Sequence, residues 1–348
     1  MERQSWFARF QGHLAAVEAE MRACLPPAGV PSLAPFYGMM GYHLGWQDAA
    51  FRPARGREGK RLRPLLCLLG CEATGARWER ALPAAAAVEL VHNFTLVHDD
   101  IEDSSPLRRG RPAAWKLWGV PQAINAGDGL LIVARMALFR LRQRGLPPEV
   151  VLQAVEVLDQ AILRICEGQY LDLSFEGRLD VSENAYAGMI ARKTAILMET
   201  ALHLGALAGG GGEKVIAALG AYGHALGLAF QVQDDLLGVW GEEERTGKPA
   251  AADIRGRKLG LPVVHALAQA RPGDRAVLER VYGGEGPVGQ DDVAAVLAVL
   301  ERAGSREYVQ EVAAHYHQEA LRALEAVPAG PAREALAEIA AALVGREA

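Results

Sequence analysis

Apolar residues recur at three- and four-residue intervals along most of the chain, the period of a helix with one buried face. The pattern predicts helices near 9–24, 34–50, 60–75, 82–102, 121–143, 148–174, 182–208, 213–240, 257–270, 289–303, 305–325 and 330–345. Breaks rich in Gly and Pro separate them: CLPPAG at 24–29, GLPP at 145–148, AGGGG at 208–212, ARPG at 270–273 and YGGEGPVG at 282–289. The two-residue alternation of a half-buried strand is absent. No segment is long or polar enough to serve as an interdomain linker, and no repeat of fixed period is found. The expectation is one all-α domain over residues 1–348, a helical bundle closing around something.

Composition narrows the function more than the fold. Hydrophobic residues make up 50% of the chain, and the formal net charge of −5 argues against a nucleic-acid partner, which would require a broadly basic surface. Cys24, Cys67, Cys71 and Cys166 lack metal-ligand spacing, and Cys67 and Cys71, one turn apart in LLCLLGC, read as free core thiols. The N-terminal MERQSWFARF has no apolar signal core, and no uncharged apolar run reaches the ~18 residues of a membrane span. A cytoplasmic protein without an integral membrane segment is expected.

Chemistry concentrates in VHDDIED, residues 97–103. On a helix Asp99 and Asp103 are four apart and share a face, with Asp100 and Glu102 beside them. Like charges so placed destabilise a helix, and a hard divalent cation would offset that. Mg²⁺ suits, because it takes one or two carboxylates and completes its shell with water and phosphate. The motif alone fits a solvated helix end equally well. Apolar Leu96, Val97 and Ile101 point instead to a buried helix, and Arg108 and Arg109 follow at once. Carboxylates for a metal beside guanidinium groups for phosphate oxygens describe a site for a metal-complexed polyphosphate. Upstream, Lys60 and Arg63 in REGKRLRP lie three apart at a predicted helix start, a position that favours anions.

Taken together these residues resemble the trans-type isoprenyl diphosphate (polyprenyl) synthases, most closely the geranylgeranyl diphosphate synthases. The matching pieces, in order, are GKRLRP at 59–64, VELVH at 88–92, HDDIED at 98–103, RRGRP at 108–112 and GDGLL at 127–131. EGQYLDL at 167–173, ARKTAIL at 191–197, FQVQDDLLG at 230–238 and TGKPAAADIRGRKLGLP at 246–262 complete the set, so that the likeness is clearest over 55–325. It implies an all-α fold, usually homodimeric, in which two acidic motifs face each other. It also implies Mg²⁺-dependent, head-to-tail condensation of isopentenyl diphosphate with an allylic diphosphate, by ionisation, condensation and elimination.

By the same resemblance Asp99, Asp103 and Asp234 hold about three Mg²⁺ ions per site, with Asp100 and Asp235 as supporting ligands or partners of ligands. Arg108, Lys193, Lys248 and Lys258 match contacts to the allylic diphosphate, with Gln231 near the leaving group. Lys60, Arg63, His92 and Arg109 match the isopentenyl diphosphate pocket. Thr194 and Gln169 are assigned near the reacting carbons, and the released pyrophosphate is the expected proton acceptor. Trp115 stands where many relatives carry His and is given a packing role. Asp291 and Asp292, after a Gly-rich turn, are read as a helix start.

The second acidic motif is short of one carboxylate. In QVQDDLLGVWG, Gly238 stands where an acid would share the helical face of Asp234. The expectation is a working site that has lost a supporting group, in which a water recovers part of its role and Gly238→Asp is tolerated. Product length is assigned to Phe94, five residues before Asp99 and so ~7 Å along the axis. Small Thr95 and Ala84–Ala87 leave room beyond it. A geranylgeranyl product is expected, with farnesyl or longer products as the alternative. A class I terpene cyclase is less favoured, because residues 231–245 contain no N-D-x-x-S-x-x-x-E motif. So is a non-catalytic subunit, which typically loses the acids kept here.

Overall fold

The structure is a computed structural model that describes residues 9–54, 56, 59, 61–241 and 251–344. Its helices are α1 Gln11–Cys24, α2 Ala34–His43, α3 Leu62–Glu72 and α4 Leu82–Glu102. After a hairpin of β1 Leu107–Arg108 and β2 Arg111–Pro112 come α5 Ala114–Trp118, α6 Val120–Phe139, α7 Pro148–Phe175 and α8 Glu183–Ile190. A π turn, Ala191–Ala195, leads into α9 Ile196–Gly209 and α10 Glu213–Trp240. The chain finishes with α11 Ala252–Arg255, α12 Leu261–Gln269, α13 Pro272–Tyr282, α14 Gln290–Arg302, α15 Ser305–Leu324 and α16 Pro331–Val344. Apart from the hairpin and the isolated bridge Gln47–Pro53, no strand occurs among the described residues.

The chain divides into two compact units. Unit 1 runs to Ile162 and adds Thr200–Ala217 and Gly330–Ala332. Its centre is α4, whose residues from Leu82 to Val91 are all buried, so this helix is enclosed around its whole circumference, with Glu89 the one charged residue in that span. Pro83 sits at the helix start, where its missing N–H costs nothing. Helices α1, α3 and α6 pack around α4. Ala84–Ala87 carry no accessible surface, so these small side chains admit close helix approach rather than lining open space.

Unit 2 comprises Leu163–Glu199, Ala218–Ala329 and the chain from Arg333 on. One core cluster joins Tyr186 and Ile190 of α8 to Leu228, Val232 and Leu236 of α10, Val264 of α12 and Val309 of α15. A second joins Ile254, Val263, Leu278, Val281, Val296 and Leu300 of α11 to α14. By length and composition α10 is apolar enough to cross a membrane, yet 56% of that stretch is buried inside the protein.

Several elements differ from the sequence expectation. The helix near 34–50 ends at His43, because Gly45 turns the chain with φ 84°. The short α5 and α11 and the whole of α13 were not expected. Helix α13 begins at Pro272, inside a motif read as a break, where Pro serves as the first helical residue. Asp291 and Asp292 lie in the first turn of α14, as expected, and Asp292 pairs with Arg280.

Candidate active site

The acids of the first motif sit at the end of α4. Asp103 caps the helix, and its N–H donates to the Asp99 carbonyl at 2.8 Å, which keeps the two acids one turn apart on one face. Asp103 is exposed and Asp99 half-buried. Asp100 is buried, and its Oδ1 accepts from Arg108 Nε at 2.8 Å and from Arg108 Nη2. Its Oδ2 is enclosed without a partner among the described residues. Burial lifts the Asp100 carboxyl above the usual range, while Arg108 opposes the shift.

Arg108 and Arg109 are aimed by the hairpin. Arg108 pairs with Arg111 in register, leaving Arg109 and Gly110 as a two-residue loop with φ 54° and 77°. Positive φ at both loop residues defines a type I′ turn. An arginine held there costs roughly 1–2 kcal/mol, so the turn is held by its surroundings. Arg111 supplies part of that hold, donating to the Gln47 carbonyl at 2.7 Å and lying over the Tyr42 ring. Trp115 Nε1 donates to the Ser105 carbonyl at 2.8 Å, tying α5 to the turn after α4.

A basic cluster forms in the same unit. Arg63 Nη1 lies 3.4 Å from His92 Nε2. A Cβ on Gly59 would meet Arg109 Nη2 at 2.9 Å, so the Gly59 backbone lies against the Arg109 guanidinium. Arg63 Nε and Arg109 Nη1 are buried with no hydrogen-bond partner among the described residues. Burial, then Arg63 and Arg109, hold His92 well below its ordinary range, so the ring is neutral. Lys60 lies outside the described residues.

Two contributors here were missed in the sequence. Arg61, left-handed at φ 49° and buried, donates to Glu89 at 2.8 Å and Glu18 at 2.9 Å. Glu89 also accepts from Asn93 at 3.0 Å, so this network fastens the segment before α3 onto α4 and α1. His43 is the other. Burial and then Arg109, Arg108, Arg111 and Arg61 lower its pKa to about 3, and its Nε2 has no partner among the described residues. The VELVH glutamate was the one signal for the network; nothing in the sequence marked His43.

Unit 2 carries the remaining residues. In the π turn, Thr194 Oγ1 donates to Gln231 Oε1 at 2.9 Å, and Gln231 Nε2 donates to Asp235 Oδ1 at 3.0 Å. The other Asp235 oxygen accepts from Tyr186 and from the Leu261 N–H at 3.0 Å. Asp235 is therefore buried and fully engaged, and it orients Gln231 rather than standing open to a cation. Lys193 pairs with Asp172 of EGQYLDL. Gly168, in the same motif, faces the π turn: a Cβ there would lie 2.7 Å from Lys193 Cα. Gln169 is half-buried beside it. Lys248 lies outside the described residues.

Asp234 is exposed on α10, and Gly238 stands one turn on. A Cβ on Gly238 would collide with Cγ and Oδ2 of Asp253 and lie 3.0 Å from Oδ1. The space is already filled by a carboxylate. A side chain at 238 therefore requires the Asp253 carboxylate to move aside. Lys258 Nζ lies 4.0 Å from Asp253 Oδ2. Desolvation works against its charge, but Asp235, Asp253, Asp234 and Asp172 hold the ammonium above its ordinary range.

Phe94 is buried on α4 with its ring edge-on to His98 at 4.9 Å, and Thr95 Oγ1 donates to the His92 carbonyl at 2.8 Å. No three His, Cys, Asp or Glu side chains among the described residues form a closed metal cage. Asp100 Oδ2, without a partner among the described residues, and half-buried Asp99 one turn from exposed Asp103 fit an open site instead, of the kind Mg²⁺ occupies with few protein ligands.

Comparison with known proteins bears on this arrangement. Residues 46–300 match the family model for polyprenyl synthetase. A short chain isoprenyl diphosphate synthase of Methanothermobacter thermautotrophicus is 45% identical over 289 residues, 83% of this chain and 87% of that protein. The crystal structure of a geranylgeranyl pyrophosphate synthetase from Pyrococcus horikoshii superposes with a TM-score of 0.89 at 33% identity, covering 100% of both chains. That of a polyprenyl synthase from Caulobacter crescentus, complexed with calcium and isoprenyl diphosphate, gives 0.81 at 32% identity, covering 99% of this chain and 97% of that one. By its sequence, its fold and its side chains, this chain belongs to the polyprenyl synthetase family.

Proposed function

We propose that this prenyltransferase joins isopentenyl diphosphate head-to-tail to an allylic diphosphate and that its main product is geranylgeranyl diphosphate. The observation that carries the substrate assignment is the pair of buried guanidinium nitrogens on Arg63 and Arg109, without a partner among the described residues, beside neutral His92. Buried donors without partners are costly, and a diphosphate oxygen satisfies them with charge-assisted bonds. Lys60, Arg63, His92 and Arg109 accordingly bind isopentenyl diphosphate.

Asp99, Asp103 and Asp234 are the acids assigned to divalent cations, about three Mg²⁺, and what these supply when bound is neutralisation of charge on the departing diphosphate. Arg108, Lys193, Lys248 and Lys258 grip the allylic diphosphate. Arg108 and Lys193 are already held in place by Asp100 and Asp172. As the C–O bond breaks, its electron pair leaves with the pyrophosphate. The isopentenyl double bond then forms the new C–C bond, and loss of a proton to pyrophosphate restores an alkene. Gln231 and Thr194, locked together and backed by Asp235, present fixed dipoles to the developing cation.

Phe94 is assigned as the floor that ends chain growth. A second copy of the chain is proposed to cover the half-exposed Ile132, Met136 and Phe139 of α6. Four cysteines outside any disulfide, together with ionic substrates, favour the cytoplasm. The test supplies isopentenyl diphosphate, Mg²⁺ and dimethylallyl, geranyl or farnesyl diphosphate, and sizes the dephosphorylated products. Geranylgeranyl-length alcohol is expected from wild type, longer chains from Phe94→Ala, and a loss of at least ~100-fold in rate from Asp234→Ala. No consumption of isopentenyl diphosphate by wild type overturns the assignment, and an unchanged product spectrum in Phe94→Ala removes the floor.

A further inference from the structure

Helix α2 ends at His43, and the turn that follows is tied to the hairpin carrying Arg108 and Arg109. The Gly45 N–H donates to the Tyr42 carbonyl at 3.0 Å, and the Gly56 N–H donates to the Gly45 carbonyl at 2.9 Å. Tyr42 Oη donates to the Pro112 carbonyl at 2.8 Å, and the Arg111 guanidinium lies 3.8 Å from the centre of the Tyr42 ring. Arg111 also donates to the Gln47 carbonyl at 2.7 Å. These contacts hold the end of α2, and His43 with it, against β2.

His43 has no task in the chemistry assigned so far. Its Nε2 is enclosed without a hydrogen-bond partner among the described residues, as are Arg63 Nε and Arg109 Nη1. The ring shares its surroundings with His92, since the charges of Arg109 and Arg108 act on both imidazoles. A neutral imidazole with its hydrogen on Nε2 is a donor that adds no positive charge. Such a donor can stand among guanidinium groups in an empty pocket, where a cationic one would be repelled. An enclosed donor left unpaired is costly, and an anionic oxygen among the arginines is the partner that removes that cost.

We infer that His43 is a further ligand of isopentenyl diphosphate, its Nε2–H donating from α2 to a diphosphate oxygen held by Arg63, His92 and Arg109. The inference rests on reading that basic cluster as the isopentenyl diphosphate pocket. No proton is transferred. His43 therefore acts on the binding of one substrate and not on the ionisation of the other.

The test measures KM for isopentenyl diphosphate at saturating farnesyl diphosphate and Mg²⁺, and KM for farnesyl diphosphate at saturating isopentenyl diphosphate. Thermal unfolding of each variant checks the fold. His43→Gln places an amide N–H where Nε2 stands and should keep KM for isopentenyl diphosphate within about threefold of wild type. His43→Asn reaches only the Nδ1 position and His43→Leu has no donor, so both should raise that KM about 10–100-fold, the worth of one hydrogen bond to a charged group. Both should leave kcat and KM for farnesyl diphosphate within about threefold of wild type, because the lost contact is made equally before and during reaction. A wild-type KM in His43→Leu, or equal values in His43→Gln and His43→Asn, overturns the inference. So does a matching rise in both KM values, which a misplaced helix end would produce. Should His43→Leu fail to melt cooperatively, His43→Gln against His43→Asn decides by the same limits. Arg109→Gln separates this inference from the reading beneath it. If Arg109→Gln raises KM for isopentenyl diphosphate and neither His43→Leu nor His43→Asn does, only His43 is misassigned. If none of the three raises it, the pocket assignment falls as well.

Discussion

At the scale of single residues, the basic cluster of unit 1 is an arrangement of charges that do not neutralise one another. Arg61 spends its charge on Glu89 and Glu18, but among the described residues Arg63 Nε and Arg109 Nη1 have no partner, next to His92 and near His43. Burial and the guanidinium groups keep both imidazoles neutral, and this has a consequence for pH. Above the ordinary imidazole pKa of 6.5 the folded and unfolded forms are both neutral, and no penalty arises. As pH falls below 6.5 the unfolded chain takes up protons that the folded protein refuses, so stability declines until the folded value is reached, about 3 for His43. Thermal unfolding of the ligand-free protein should therefore shift downward from pH 6.5 towards 4, and His43→Gln should flatten that slope. An identical slope in His43→Gln would show that His43 does not titrate in this way. A bound diphosphate would supply the missing negative charge and make the decline shallower.

At the scale of elements, the π turn Ala191–Ala195 explains why Lys193 and Thr194 meet Asp172 and Gln231. A π turn inserts one extra residue into a helix and rotates the side chains around it, and such turns gather at functional sites. Gly168 of α7 lies directly against this turn, 2.8 Å from Arg192 C at its would-be Cβ. Gly168→Ala should force the two helices apart. We expect about 1–3 kcal/mol of lost stability in denaturant unfolding. A fall of roughly 10²-fold in turnover should accompany it as Lys193 and Thr194 are displaced. Wild-type turnover in a folded Gly168→Ala protein would count against this positioning role. The hairpin works by the same logic, because its type I′ loop holds Arg109 against Gly59 while Arg108 bonds Asp100.

At the scale of the whole molecule, α6 presents Ile132, Met136 and Phe139 with about half of each exposed, and Ile124 nearer its start. Their spacing puts them on one stripe of the helix, which suits an isologous contact with a second copy. The substitution Met136→Glu should shift light-scattering mass from dimer to monomer without loss of helical signal. A monomeric wild type would remove the proposed interface.

The amino-acid pattern by itself determined that the chain is helical, where most helices begin and end, and which chemistry it carries. Those properties are local: a 3.6-residue period, Pro and Gly at breaks, and acids one turn apart are all written within a few neighbours. Short or atypical elements escaped. Helix α13 starts on a Pro that reads equally as a stop, and a two-residue hairpin has no period to detect. Asp99 and Asp103 stood out by their spacing, whereas Arg63 and His92 were singled out by the family resemblance. Arg61, His43 and Gly168 were not, since each meets a residue distant in sequence: Glu89, Arg109 and Lys193. Only the tertiary structure decided that Asp235 is occupied by Tyr186, Gln231 and Leu261 and that a carboxylate from α11 fills the place beside Gly238. Both depend on which side chains share a volume, and packing sets that while spacing along the chain does not.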